Sequence, residues 1–362
     1  MINFKIILNV LGYLLVALSI LLIVPIIIDL ISGNDSWKSF LISLIITLGF
    51  GVTFLLSTRN ELKNKILTQD AFLITTLSWI FISIFGALPF FFLDSSLSLT
   101  NSIFESMSGI TTTGSTIFNE VENLPQGILI WRSILQWVGG VGIIVMAVSI
   151  LPVLQVGGMQ VFRTESSDTT DKILPRTTQV ASAVIVIYII LTVTCLIAYW
   201  VGGMNLFDAI VHSMTTIATG GFSSKNDSFA SFNNASLEYI AIIFMILSSL
   251  PILVYLEITR EGLKKALADT QIITFLSIIL LSSVLVIFYL WIQNIKDVEE
   301  AVRLGAFNVI SIITGTGYTS DNYNLWGPFP IYLLFFGMFV GGCAGSTLSL
   351  IHISEPTRRT DI

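Results

Sequence analysis

Three short stretches of the sequence place a threonine directly before a glycine. They read SGITTTGST, TTIATGGFSS and SIITGTGYTS, and their Thr-Gly pairs are Thr113-Gly114, Thr219-Gly220 and Thr316-Gly317. Glycine readily adopts positive φ, which allows successive backbone carbonyls to face in one direction. Rings of such carbonyls can replace the hydration shell of a potassium ion. The chemistry that these residues favour is therefore cation binding by backbone oxygen, with the threonine hydroxyl as a further acceptor.

The rest of the chain has the composition of a membrane protein. Hydrophobic residues make up 54% of it, charged residues only 11%, and the mean hydropathy is +0.87. Soluble domains carry roughly 25% charged residues, so this chain has too little charge to cover a water-facing surface. A bilayer core needs about 20 apolar residues per helix. The apolar runs predict eight spans, at Phe4–Leu30, Phe40–Leu56, Ala71–Phe92, Ile128–Leu154, Val180–Trp200, Leu237–Leu256, Ile272–Trp291 and Pro330–Gly345.

Each Thr-Gly pair occupies the same place in a repeated unit. The unit is a span, a short half-apolar segment, the Thr-Gly loop and a second span. A helix of about a dozen residues is too short to cross a bilayer, and irregular backbone at that depth survives only inside protein or along an aqueous path. The C-terminal end of such a half-helix carries about −0.5 charge, which favours a cation. The alternative is three re-entrant hairpins that merely cap the bundle.

Charge predicts the orientation and excludes several functions. With the N-terminus in the cytoplasm, the cytoplasmic segments hold about twice as many lysines and arginines as the outer ones, as the positive-inside rule requires. A net charge of −6 and no basic patch argue against a nucleic-acid partner. Cys195 and Cys343 lie in apolar stretches without a CxxC motif, so we interpret them as small buried hydrophobes. The absence of a nucleophile–base pair or P-loop predicts a protein that is not an enzyme and has no cofactor.

The chain resembles the Trk/Ktr/HKT superfamily of potassium transporters and, within it, the TrkH type. The resemblance covers residues 1–347, and the two helices before the first repeat are similar to the TrkH subgroup. The stretches that carry it are SGITTTGST, WRSILQWVGGVGIIVMAVSILP, GGMQVFRTE, FDAIVHSMTTIATGGFSS, ISIITGTGYTSDNY and GGCAGST.

The resemblance implies an all-α polytopic membrane protein with M1–pore helix–M2 units around a pseudo-fourfold pore. It implies that K⁺, the transported ion, is bound by carbonyls of a selectivity filter, and that a loop with Gly341, Gly342 and Gly345 acts as a gate below it. It also implies a homodimer in the cytoplasmic membrane of a bacterium, bound to a cytosolic nucleotide-binding regulatory subunit of the TrkA type. Carried over to this chain, the filter residues are Thr112, Thr113, Gly114, Ala218, Thr219, Gly220, Gly315, Thr316 and Gly317.

The repeat pattern divides the chain into five segments. Residues 1–66 hold two N-terminal helices, 67–160, 161–268 and 269–347 are three of the four repeats that the family has, and 348–362 departs from its pattern. We interpret that tail as non-native and the chain as C-terminally truncated. Two alternatives to potassium uptake stay open. One is a secondary solute carrier with re-entrant loops, and the other, which follows from the truncation, is a fragment that does not conduct.

Two polar residues near the Thr-Gly loops each allow two interpretations. Arg132, at the outer start of the fourth span, is either an interfacial anchor or an electrostatic brace behind the filter. His212, inside the second half-apolar segment, is either a structural histidine with its hydrogen bonds satisfied or a ligand or proton relay, and we favour the structural role.

Overall fold

The structure is a computed structural model that describes residues 2–58, 68–93, 97–154, 177–262, 269–343 and Ser346. The described residues form helices joined by short loops and contain no β-strand. Five helical segments are long and apolar enough to cross a membrane, and a sixth is formed if one sharply bent pair counts as one span. The expected all-α membrane architecture is thus confirmed.

An N-terminal hairpin precedes the first repeat. Helices α1 (Phe4–Leu21) and α2 (Ile23–Ser32) together form one candidate span, which α3 (Trp37–Thr58) follows. Helix α2 ends at Gly33, which adopts the left-handed conformation with φ 73°. Gly12 of α1 and Gly51 of α3 lie opposite each other, since a Cβ on either would meet the other's carbonyl oxygen at 3.1–3.2 Å. Two glycines therefore allow the two helices to approach closely.

Three repeats of one unit follow, each with a half-helix between two other helical elements. The first consists of α4 (Thr68–Gly86), α5 (Leu88–Leu93), α6 (Leu99–Ile110) and α7 (Gln126–Leu154). The second consists of α8 (Thr177–Val201), α9 (Leu206–Ile217), α10 (Ala235–Ser249) and α11 (Ile252–Glu261). The third consists of α12 (Thr270–Ile292), α13 (Val298–Ile313) and α14 (Pro328–Gly337). The half-helices are α6, α9 and α13.

Two of the spans that the sequence predicts are interrupted in the structure. The run Leu237–Leu256 is not one helix, because it breaks between α10 and α11 with a bend of 90°. Pro251 causes the break, since proline lacks an N–H and forces the preceding residue into extended backbone, and Leu250 indeed has ψ 154°. The run Pro330–Gly345 is helical only to Gly337, after which Gly341 turns the chain with φ 68°. Ten helical residues are too few to span.

Two hydrophobic cores hold the units together. One joins the N-terminal hairpin to the first repeat, where the ring of Phe40 meets that of Trp131 edge-on at 6.3 Å. Trp131 also donates its indole N–H to the carbonyl oxygen of Gly86 at 3.0 Å. The second core joins the second and third repeats around Phe229 and Phe307, whose rings lie 5.4 Å apart. Helix α7 packs against α9, so it connects the first repeat to the second.

Candidate functional site

The three Thr-Gly loops share one backbone conformation. The half-helices end at Ile110, Ile217 and Ile313, and the second residue after each end has positive φ, 54° at Thr112, 51° at Thr219 and 68° at Gly315. Two residues later a glycine again has positive φ. These glycines are Gly114, Gly221 and Gly317, with φ of 80°, 76° and 81°. The loops are therefore copies of one local fold, and they align as Thr111–Gly114, Ala218–Gly221 and Thr314–Gly317.

This alignment shifts by one residue the match between the second loop and the other two. The sequence alignment matched Thr219-Gly220 to Thr113-Gly114, whereas the backbone matches Gly220-Gly221 to it. Ala218 consequently corresponds to Thr111 and Thr314, the residues that cap their half-helices. The error arose because the second loop has two consecutive glycines, and only their dihedral angles distinguish them.

The glycines of adjacent repeats bring the loops into contact. A Cβ on Gly114 would overlap the carbonyl oxygen of Gly220, and a Cβ on Gly221 would overlap that of Thr316. The first loop thus touches the second, and the second touches the third, each through the same two positions. A Cβ on Gly317 would meet nothing within 4 Å among the described residues. The three loops therefore lie side by side in chain order.

Hydroxyl groups pair within two of these loops. In the first and third loops the threonines two apart pair through their Oγ1 atoms, Thr111 with Thr113 at 2.8 Å and Thr314 with Thr316 at 2.9 Å. The second loop has Ala218 and Gly220 at these positions and cannot form this bond. The Oγ1 atom of Thr112 is buried and has no hydrogen-bond partner among the described residues.

A side chain from α7 replaces the missing threonine of the second loop. Gln136 donates from Nε2 to the carbonyl oxygen of Gly220 at 2.6 Å and accepts at Oε1 from the N–H of Phe222 at 3.1 Å. Its side chain occupies the space that a Cβ on Gly220 would need. The first repeat therefore fixes the backbone of the second.

A buried ion pair lies one helical turn away on the same face of α7. Arg132 donates from Nε to Oε1 of Glu105 on α6 at 2.8 Å, and from Nη1 to the carbonyl oxygen of Ser223 at 3.1 Å. Its guanidinium also lies 4.0 Å from the ring centre of Phe222. Arg132 and Glu105 are 2% and 0% exposed, so Arg132 is not an interfacial anchor. The bonds of Arg132 to Glu105 and to the Ser223 carbonyl favour the brace over the anchor.

His212 also has a structural environment. Its Nδ1 lies 2.8 Å from the carbonyl oxygen of Asp208 and its Nε2 lies 2.9 Å from Oγ of Ser223. The rings of Phe229 and Tyr318 pack against it at 5.4 and 5.9 Å. Both ring nitrogens are used within the protein, as the structural interpretation predicts.

The arrangement matches a known family of transport proteins over nearly the whole chain. Residues 36–354 match the TrkH family, which is described as a cation transport protein. The chain belongs to the TrkH family. A Trk system potassium uptake protein TrkI from Halomonas elongata is 40% identical over 344 residues, which are 94% of this chain and 69% of that protein. The TrkH protein of Escherichia coli K12 is 36% identical over 350 residues, 95% of this chain and 72% of its own length.

A solved TrkH structure has the same fold. The crystal structure of the potassium transporter TrkH from Vibrio parahaemolyticus superposes with a TM-score of 0.85 at 33% identity. The match covers 96% of this chain and 72% of that one. The TrkH-family chain is thus a multi-pass membrane protein of helical transporter architecture, as the sequence predicted.

The expected gate of this TrkH-family chain adjoins the break in the second repeat. The N–H of Cys343 donates to the carbonyl oxygen of Ser249, the last residue of α10, at 3.0 Å. A Cβ on Gly342 would meet Oγ of Ser346 at 2.9 Å and the Ser249 oxygen at 3.3 Å. Gly341 and Gly342 therefore lie where two interrupted helices meet. Gly345 and the tail 348–362 lie outside the described residues.

Sequence reasoning missed three residues of this TrkH-family site, namely Gly221, Gln136 and Glu105. A double glycine after Thr219 was the signal for Gly221. Gln136 stands four residues after Arg132 in an apolar run, which places both on one helix face. Glu105 is the acidic residue of an otherwise uncharged half-helix. Each could have been singled out, but its partner could not, because the partners lie in distant parts of the chain.

Proposed function

We propose that the protein takes up potassium ions across the cytoplasmic membrane through the centre enclosed by the three Thr-Gly loops. The observation that carries this proposal is the contact between loops of identical backbone conformation, Gly114 against Gly220 and Gly221 against Thr316. The carbonyl oxygens of consecutive loops can replace the hydration shell of a cation. The names of the similar proteins, which are potassium uptake proteins, support K⁺ as the transported ion.

The half-helices supply the electrostatic part of this mechanism. Each ends at its Thr-Gly loop, so the partial negative charge of its C-terminus is directed there. None of the three carries a basic residue in its last turn, which would offset that charge. The carbonyl oxygens of Thr112 and Gly315 accept no hydrogen bond from the described residues. We assign the ion ligands to the aligned loop residues, which are Thr112–Gly114, Thr219–Gly221 and Gly315–Gly317.

Ion uptake tests this proposal directly. The protein should restore growth of a potassium-uptake-deficient strain at low external K⁺, and in proteoliposomes it should take up ⁸⁶Rb⁺ in preference to ²²Na⁺. Gly114→Ser and Gly220→Ser should lower that preference, because each introduces a Cβ into occupied space. Equal uptake of the two ions by the unsubstituted protein would refute the proposal.

We further propose the orientation that the charge pattern predicts and the assembly that the resemblance implies. The N-terminus lies in the cytoplasm, and the protein forms a homodimer that binds a cytosolic nucleotide-binding regulatory subunit. It transports K⁺ without a cofactor and without catalytic activity. The excess of basic residues on one side of the predicted spans supports the orientation. Labelling of single cysteines at Asp35 and Lys225, both expected outside, from either face of sealed cells tests it. Mass spectrometry of the detergent-purified protein tests the dimer.

A further inference from the structure

The three half-helices carry one buried polar side chain at the same position. With the helix ends aligned at Ile110, Ile217 and Ile313, the position is occupied by Glu105, His212 and Asn308. All three side chains are 0% exposed. An acid, an imidazole and an amide share no propensity that would place them together, so their common location requires another explanation.

Each of these side chains binds the segment of chain that follows its own loop glycine. We call these the post-glycine segments, Ser115–Ile117, Phe222–Ser224 and Tyr318–Ser320. Glu105 accepts from Thr116 Oγ1 at 3.0 Å and from the N–H of Ile117 at 2.9 Å.

The other two repeats form the corresponding bonds with different chemistry. His212 pairs through Nε2 with Oγ of Ser223 at 2.9 Å. Asn308 donates from Nδ2 to Oγ of Ser320 at 3.0 Å.

The remaining polar atoms of each side chain are bound within the same repeat. The second nitrogen of His212 lies against the Asp208 carbonyl, and Nδ2 of Asn308 also donates to the Leu304 carbonyl at 2.9 Å. The charge of Glu105 is balanced by Arg132. Every one of the three side chains therefore connects a rigid helix to the segment leaving the loop.

We propose that Glu105, His212 and Asn308 are positioning residues that set the preference for K⁺ over Na⁺. This inference rests on the proposed function. Each Thr-Gly loop is continuous at one end with its half-helix, and the buried side chain supplies one of the bonds that fix its other end. A loop held at both ends keeps its carbonyl oxygens at one spacing. A loop that loses this bond contracts around the smaller sodium ion. Discrimination between K⁺ and Na⁺ depends on the spacing of the carbonyl oxygens or on the field of their dipoles.

The test compares ion preference rather than protein yield. Asn308→Leu removes the bond to Ser320 with a side chain that branches at the same atom, and His212→Leu removes the bond to Ser223. The matched control is Asn9→Leu, because Asn9 is also buried and donates from Nδ2 to Oγ1 of Thr58 at 2.9 Å, outside the loops. His212→Gln is the conservative variant, since its amide nitrogen can replace Nε2 of the imidazole. Uptake of ⁸⁶Rb⁺ and ²²Na⁺ is measured in proteoliposomes for each.

We expect Asn308→Leu and His212→Leu to lower the ⁸⁶Rb⁺/²²Na⁺ uptake ratio about tenfold, the effect of losing one buried hydrogen bond. Asn9→Leu and His212→Gln should keep the ratio of the unsubstituted protein. A ratio unchanged in both leucine variants, or lowered equally in Asn9→Leu, overturns the inference. If the unsubstituted protein shows no preference for ⁸⁶Rb⁺, the proposed function itself fails, which distinguishes the two failures. If a leucine variant does not fold, His212→Ser and Asn308→Ala replace it with smaller side chains. The uptake ratio is again expected to fall.

Discussion

The carbonyl oxygen of Gly220 lies where a Cβ of Gly114 would have to be. The same relation joins Thr316 to Gly221, so two successive interfaces between repeats depend on a missing side chain. Gly317 has the same positive φ, but a Cβ there would meet none of the described residues within 4 Å. Three glycines of one conformation thus differ only in what surrounds them.

Alanine at these glycines should separate backbone strain from crowding. Gly317→Ala adds only the cost of a left-handed alanine, roughly 1–2 kcal/mol. Gly114→Ala and Gly221→Ala add overpacking against a backbone carbonyl, about 1–3 kcal/mol more. Thermal unfolding in detergent should rank Gly317→Ala above the other two in stability. Equal midpoints for all three would contradict the close contact between the loops.

Gln136→Leu should destabilise the second loop without touching its sequence. It leaves the Gly220 carbonyl and the Phe222 N–H without their partners, each at a cost of about 1–3 kcal/mol. Gln136→Glu is the matched variant, because a carboxylate still accepts from Phe222 but no longer donates to Gly220. We expect both variants to unfold at a lower temperature than the unsubstituted protein. A leucine variant as stable as the unsubstituted protein would show that these bonds contribute nothing.

Arg132→Lys should be strongly destabilising although it keeps the charge. A lysine has no planar fork to reach both Glu105 and the Ser223 carbonyl. The lost hydrogen bond involves a charged group, so we expect a loss of about 1.5–3 kcal/mol in stability. The control is Lys38→Ala, which breaks the exposed pair with Asp35 and should cost less than about 1 kcal/mol. The prediction fails if the two substitutions change the unfolding midpoint by similar amounts.

Asp29 should anchor the N-terminal hairpin to the first repeat. Its fully buried carboxylate accepts from the N–H of Gly127, in the first turn of α7, at 2.7 Å and from Oγ of Ser36 at 2.6 Å. Asp29→Ala removes both bonds and a negative charge that favours a helix N-terminus, so we expect a loss of about 1–3 kcal/mol in stability. Limited proteolysis should then cleave between α2 and α3 faster. Asp35→Ala, at an exposed neighbouring position, serves as control and should leave the cleavage rate unchanged.

Hydropathy and glycine placement predicted much of the fold. The three repeats and the half-helices could be read from the sequence because partition into lipid depends on local composition. The two predicted spans whose helices are interrupted, Leu237–Leu256 and Pro330–Gly345, contain Pro251 and Gly341. Both residues act on the backbone and barely change the hydropathy of a run, so the pattern was continuous where the helix was not.

The sequence by itself determined the class of protein, its repeated unit and the loops that we propose bind the ion. Tertiary structure decided which glycine of the second loop matches the others and what holds the loops in place. Gly220 and Gly221 are indistinguishable as letters, and only the backbone conformation that the neighbouring loops impose separates them. Gln136 and Arg132 bind the second loop from a helix of the first repeat. Such contacts depend on how distant helices pack, which no local pattern of residues encodes.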